Sequence, residues 1–364
     1  MRSKSARVRR ETSKLAVLAI ILALLTALTS GCADGGYKSE CLFYMGTAIN
    51  IVAYADEATF STLLQESKKI LDYADKLDEN GAVARFNSAG YGEKTELDET
   101  VYSILRTVKE DPLTDGYNPL IAPLTDLWGF SPRFGDNYLP SKPYDRERNE
   151  DGSLPLPDEK YLLAFNSLTD IDGLVLSEEN GKYYCVKNVP PVIVDGNEYV
   201  ARLDLGGCIK GYCADRIKEI YISLGIKYGY VSFGTSSICL MLNKTGDWTV
   251  SLTSPDDDKQ TYCKLKLPSG CASTSGDYEN SYFLNGKRYC HIIGKDGYPV
   301  NNVRCVTVTG ESALYCDMLS TALMTASLED VGKRAAEVKE KSYDVTYCYG
   351  DNLTVESTAV VEIS

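Results

Sequence analysis

From Gly173 to Thr309 the chain runs in short stretches of alternating apolar and polar residues, separated by Gly, Asn, Asp and Pro and interrupted by one amphipathic segment. No other feature constrains the fold as much. A period-two run must pair laterally to bury its face, and a 3.6-period segment must lay its apolar stripe on the resulting sheet. Strands are predicted at 173–176, 183–186, 191–194, 199–205, 228–233, 238–242, 248–252, 262–267, 271–274, 288–293 and 304–309. Helices are predicted at 58–77, 99–109, 211–224, 314–326 and 328–341. A strand region at 41–54 breaks at Met45-Gly46-Thr47, and the tail 344–363 alternates as one or two closing strands. Residues 131–157, rich in Pro, Gly, Asp and Arg, have no periodicity and read as a long surface insertion or loop. No internal repeat divides the chain, so the interleaved pattern predicts a single mixed α+β unit with a β-rich core and flanking helices.

The first residues belong to a different class. Arg2, Lys4, Arg7, Arg9, Arg10 and Lys14 face a single acid, Glu11, before an apolar run at 15–28 and then Thr29-Ser30-Gly31-Cys32. A basic start, a short apolar run and small residues before a cleavage point make a secretory signal. The run is shorter than the ~20 residues of a membrane-spanning helix. Its ending resembles a bacterial lipoprotein signal, with 1–31 the signal peptide, Cys32 the lipidated N-terminus and 32–40 a tether; Thr29 stands where Leu is usual. An uncleaved anchor helix is the alternative. Either way the rest of the chain is expected outside the cytoplasm, attached to the cell membrane. Removing 1–31 would take the formal charge from −13 to −18, which favours solubility and disfavours binding to anionic lipid.

That charge also excludes a nucleic-acid footprint, which needs clustered Lys and Arg. A single histidine, His291, excludes multi-His metal centres. With 44% hydrophobic residues over 364 positions, a large core is available and disorder is excluded. Twelve cysteines contain no C-x-x-C, which disfavours an Fe–S centre.

Four stretches could carry chemistry. In Asp204-Leu205-Gly206-Gly207-Cys208-Ile209-Lys210-Gly211-Tyr212-Cys213-Ala214-Asp215 a strand ends in an acid, turns on two glycines, presents a lysine and opens a helix. A helix N-terminus with a lysine suits a phosphate, although a Gly-Gly turn is also an ordinary tight connection and neither standard nucleotide fingerprint is matched. Thr274-Ser275-Gly276 offers hydroxyls to phosphate oxygens or simply closes a turn. His291-Ile292-Ile293 places the only imidazole inside an apolar strand, as a core residue or as the one candidate for imidazole acid–base chemistry. Asp317 and Thr321, one turn apart on a helix, are either a solvated pair or ligands for a hard cation such as Mg²⁺.

In this order the stretches resemble the ApbE family, FAD-dependent flavin transferases of exported bacterial lipoproteins. The resemblance also includes Met45-Gly46-Thr47, Arg85-Phe86-Asn87, Pro119 with Pro123-Leu124 and Leu127-Trp128-Gly129-Phe130, and Gly297-Tyr298-Pro299. It implies an ApbE-like FAD cleft within 41–364 and an enzyme that binds FAD with Mg²⁺. Such an enzyme transfers FMN to a threonine hydroxyl of an exported redox protein subunit and releases AMP. By resemblance, Asp317, Thr321 and the Gly207 carbonyl hold the metal. Asp204, Lys210, Met45, Tyr117, Asn118, Thr274, Ser275, Gly276, His291 and Ile292 contact FAD. His291 is expected to position the pyrophosphate or assist proton transfer, and Asp204 to accept the threonine proton.

Departures are local. Gly294-Lys295-Asp296 is one residue shorter than the usual segment and lacks its Asp-Pro. Gly234-Thr235-Ser236 replaces a Gly-Gly-Asn, Leu77 an aromatic residue and Asn118 an aspartate. These leave an alternative open: a lipid-anchored FAD-binding or FAD-hydrolysing protein without protein flavinylation. With Cys32 lipidated the remaining cysteines are odd in number, and Cys208, Cys213, Cys239 and Cys316 are expected as buried small hydrophobes rather than staples.

Overall fold

The structure, a computed structural model, describes residues 36–135, 138–257 and 259–363. The expected signal segment, Cys32 and the start of the tether lie outside the described residues. The chain opens with a hairpin of β1 (Gly36–Tyr44) and β2 (Thr47–Ala55), so strand structure begins before the expected 41. Its turn, Met45-Gly46, has φ of 49° and 70°. Helix α1 (Glu57–Asp75) is capped by Asp56, whose Oδ1 accepts the Thr59 N–H at 2.8 Å. Next come α2 (Ala82–Ser88), β3 (Lys94–Leu97), α3 (Glu99–Glu110), α4 (Ala122–Trp128) and α5 (Glu159–Ser167). Short strands β4 (Leu174–Glu179), β5 (Lys182–Lys187), β6 (Val192–Val194) and β7 (Asn197–Tyr199) lead to α6 (Ile209–Ser223). Then follow β8 (Gly229–Phe233), β9 (Ser237–Leu240), β10 (Trp248–Thr253), β11 (Thr261–Leu267) and β12 (Gly270–Gly276). The chain closes through β13 (Ser281–Leu284), β14 (Lys287–Cys290), β15 (Cys305–Gly310), α7 (Ala313–Met324), α8 (Leu328–Glu340), β16 (Asp344–Tyr349), β17 (Thr354–Ser357) and β18 (Val361–Ile363).

Eight strands form the main sheet in the order β1-β2-β8-β9-β12-β15-β16-β17, and each neighbouring pair is antiparallel. Its register sorts residues by parity. Ile49, Ile51, Val231, Phe233, Cys239, Cys271, Val306 and Val308 share one fully buried face, on which α6 and α7 pack. The opposite face, with Tyr230, Ile238, Ala272 and Thr307, carries the small sheet β10-β11-β18 beside it. The mixed α+β class follows. Among the described residues no helix is long and apolar enough to cross a membrane.

Several predicted elements are corrected. Residues 200–205 form no strand: the segment is held by the Asn87 amide, whose Oδ1 accepts the Leu203 N–H at 2.6 Å while Nδ2 donates to its carbonyl at 2.9 Å. The strand expected to contain the histidine ends at Cys290. The tail forms three strands. Helices α2, α4 and α5 are too short, at seven to nine residues, to show a full amphipathic repeat. The segment 131–157 forms no strand or α-helix among its described residues, as a loop should, but it is anchored at several points. Phe134, Tyr144 and Leu154 are buried, and Arg133 bridges Asp126 of α4 to Asp145 within the segment.

Candidate active site

A cleft of about 720 Å³ opens where the β8–β9 turn, the end of β12, the start of α6 and one side of α7 meet. All of the residues expected to bind FAD or metal line it; Cys32 lies outside the described residues. The anion-facing part starts from Asn87. By fixing Leu203 it sets Asp204, whose Oδ1 accepts the Gly206 N–H at 2.8 Å and whose Oδ2 accepts the Thr125 hydroxyl at 3.4 Å. The N-terminus of α6, at Cys208, has no side-chain cap; the Cys208 and Ile209 N–H groups donate to the Leu205 carbonyl at 3.0 and 2.9 Å, and Lys210 follows within the first turn. A Cβ on Gly207 would stand 3.0 Å from the Tyr117 ring and 3.6 Å from Thr321 Oγ1.

Helices α6 and α7 touch backbone to backbone at Gly211. A Cβ there would lie 2.4 Å from the Ala313 carbonyl oxygen and 2.8 Å from Leu314 Cα. The closeness lets the Gly211 N–H donate to Asp317 Oδ2 at 3.0 Å. Asp317 is buried, and burial pushes its carboxyl up to about 6 against the opposing pull of Lys210 and the Gly211 N–H. One turn on, Thr321 Oγ1 is 3.0 Å from Ser275 Oγ, which is itself 2.8 Å from Ser320 Oγ.

His291 enters after β14, its N–H donating to the Asn280 carbonyl at 2.9 Å. Its Nδ1 is shielded from water and has no partner among the described residues. Burial, then the Lys210 charge, lowers its pKa, so the imidazole is neutral at pH 7. The Tyr117 hydroxyl is also buried without a partner, and burial raises its pKa. Met45, Gly276 and Ile292 also line the cleft.

Two expected contacts are partly committed to the chain itself. Asn118 donates to the Thr169 carbonyl at 2.6 Å and accepts the Leu120 N–H at 2.9 Å, so its amide caps a turn. The Thr274 hydroxyl bonds Thr307 Oγ1 at 2.8 Å on the opposite sheet face. The shortened Gly294-Lys295-Asp296 segment closes as a tight turn, with the Gly294 N–H on the Tyr298 carbonyl at 2.8 Å and Trp128 Nε1 on the Gly297 carbonyl at 2.8 Å.

Sequence reasoning missed the supports. Asp215 accepts the Ala313 N–H at 2.8 Å, the Leu314 N–H at 3.0 Å and the Ser312 hydroxyl at 2.7 Å, so one carboxylate of α6 caps the helix that carries Asp317 and Thr321. It also missed Thr125, Ser131 and Glu279 at the cleft wall. Asn87 and Asp215 each stood in a quoted stretch with no role to read. All cysteines among the described residues are free, and Cys208, Cys213, Cys239 and Cys316 are buried as expected.

An antiparallel sheet backed by two helices that touch at Gly211 thus gathers an acid, a lysine and hydroxyls at one cleft of an α+β protein. The chain belongs to the ApbE family, whose signature covers residues 45–346. It is 28% identical over 308 residues, 81% of this chain and 83% of the other, to an FAD:protein FMN transferase of Vibrio cholerae. With the FAD:protein FMN transferase of Escherichia coli it shares 26% over 284 residues, 75% of this chain and 74% of that one. Among solved structures, the ApbE protein of Thermotoga maritima matches with a TM-score of 0.69 at 24% identity, covering 88% of this chain and 96% of that one. The flavin transferase ApbE of Vibrio cholerae matches with a TM-score of 0.67 at 23% identity, covering 89% and 97%.

Proposed function

We propose that this enzyme transfers the FMN half of FAD to a threonine hydroxyl of an exported acceptor protein, with Mg²⁺ as cofactor and AMP as leaving group. The observation that carries the reading is the buried Asp317, with the half-buried Thr321 one turn on, gathered with Lys210 and His291 in a single cleft. The donor set fits the ion: Asp317, Thr321 and the Gly207 carbonyl are all hard oxygen ligands, as Mg²⁺ requires. When bound, the ion supplies charge neutralisation to the pyrophosphate. Lys210 supplies the positive charge that holds the phosphates. The acceptor oxygen bonds to the FMN-side phosphorus as the bond to the bridging oxygen breaks, and AMP leaves with that electron pair. The hydroxyl proton passes to Asp204 or to the neutral His291, both of which line the cleft. We also place the enzyme outside the cytoplasmic membrane, tethered by lipid on Cys32.

The test incubates the chain from residue 32 onward with FAD, Mg²⁺ and a threonine peptide, followed by mass spectrometry. A peptide heavier by FMN, together with AMP, is expected. AMP with free FMN would assign hydrolysis, and neither product would leave binding alone. Asp317→Ala is expected to abolish Mg²⁺-dependent turnover, and unchanged turnover would remove the metal assignment.

A further inference from the structure

A second cavity, of about 440 Å³, lies on the sheet face turned away from α6 and α7, between β8, β9 and β12 on one side and the small sheet on the other. It meets the active-site cleft at the β8–β9 turn: Gly234, Thr235, Ser236 and Thr274 bound both spaces. The two differ sharply in chemistry. The cleft displays Asp204, Lys210, Glu279, His291 and Asp317, whereas no residue bounding the second cavity is charged, in a chain that is 24% charged. Its walls are hydroxyls such as Ser232 and Thr249 and aromatic rings such as Trp248 and Tyr262. A pyrophosphate belongs in the first space; only an uncharged group is at home in the second.

One side of this cavity is β10, whose consecutive residues Trp248–Thr253 all border it. β10 pairs with β11 alone, so its other edge is open among the described residues. Natural edges are blunted by charges, proline or bulges. The edge sequence Trp-Thr-Val-Ser-Leu-Thr has neither charge nor proline, its register breaks only at its far end between Leu252 and Thr253, and Thr249 and Ser251 are exposed. Such an edge is a template for an extended segment, with main-chain hydrogen bonds giving affinity.

We propose that the hydroxyl-bearing segment of the acceptor protein binds here, extended against β10 as an added strand, and delivers its hydroxyl past the Gly234–Ser236 turn into the cleft. This rests on the transfer reading above. The chemistry of the cavity sets the occupant: an uncharged stretch of the acceptor. At about 3.3 Å per residue, six residues spanning β10 cover roughly 20 Å. The passage is narrow, since a Cβ at Gly234 would already lie 2.5 Å from Thr47 Oγ1.

The probe is a synthetic peptide with one threonine flanked by alanine, serine and glycine. Two measurements are made on the chain from residue 32 onward and on the double variant Thr249→Lys/Ser251→Lys, whose changes fall on exposed side chains. Amide hydrogen exchange, read without turnover, should slow across 248–253 when the peptide is added to the unaltered protein and stay unchanged in the variant. The variant should raise the KM for the peptide at least about tenfold, with FAD affinity by flavin fluorescence unchanged. No protection of 248–253 by the peptide, or an unchanged KM in the variant, overturns the proposal. So does a dimer that the variant dissociates without a change in KM, which would give the edge to a second copy of this chain. Failure of the unaltered protein to modify the peptide while 248–253 is protected would strike the transfer reading and leave the docking edge standing.

Discussion

Replacing Gly211 with alanine pits helix propensity against a backbone contact, and the two can be weighed. The added Cβ would sit 2.4 Å from the Ala313 oxygen and 2.7 Å from its carbonyl carbon, where ordinary contact begins near 3.4 Å. Helices α6 and α7 must therefore separate by about 1 Å, because backbone atoms cannot rotate away. Overpacking of that kind costs about 1–3 kcal/mol. Alanine in a helix interior returns about 0.8–1 kcal/mol relative to glycine. The net loss, at most about 2 kcal/mol, is a small part of a typical 5–15 kcal/mol stability, so the variant folds. Function responds differently. The same shift carries Asp317 and Thr321 away from Lys210 and Gly207 and stretches the 3.0 Å bond from the Gly211 N–H to Asp317. A misplacement of about 1 Å in a catalytic constellation costs roughly 10²-fold in rate. Urea unfolding followed by circular dichroism should report a modest loss, and AMP release from FAD should fall about a hundredfold. Activity within threefold of the unaltered enzyme, or a stability loss above about 4 kcal/mol, would show that the contact does not set the helix crossing.

Three further outcomes are expected. Asn87→Ala leaves both backbone groups of Leu203 without their partner, at about 1–3 kcal/mol each, and frees Asp204; calorimetry should show the loss and FAD affinity should weaken, whereas unchanged affinity would detach Asn87 from the site. Asp317 has a folded pKa of about 6, above the ~3.9 of a free aspartate, so in metal-free protein its contribution is present below about pH 4 and is lost as pH rises through 6. Asp317→Asn should thus be the more stable protein at pH 8, by up to roughly 3 kcal/mol, while losing Mg²⁺-dependent turnover; equal stability at pH 5 and pH 8 relative to the parent would contradict the burial argument. His291 has the opposite sign: with its pKa lowered below 6.5, its contribution is present above about 6.5 and lost on acidification. Thermal midpoints of His291→Gln should therefore fall less between pH 7 and pH 5 than those of the parent.

The sequence alone determined the α+β class, the main strands and the longer helices, because period-two and period-3.6 patterns are local and these runs repeat often enough to read. It also named the residues of the cleft, but only through the resemblance of its motifs to the ApbE family; taken alone, each stretch reads equally as an ordinary turn, core residue or solvated pair. Where a segment was short, as in α2 and α4, or had no period, as in 131–157, the pattern held nothing to read. Only tertiary structure revealed why those motifs converge. Asn87 holds Leu203 across 116 residues, and Asp215 caps α7 from 97 to 99 residues away. The Gly211 contact exists only because two helices cross there, and the open β10 edge only because the strand order leaves it unpaired. Spacing along the chain carries propensity and period; distance across it is set by packing, and the cleft is built from such distances.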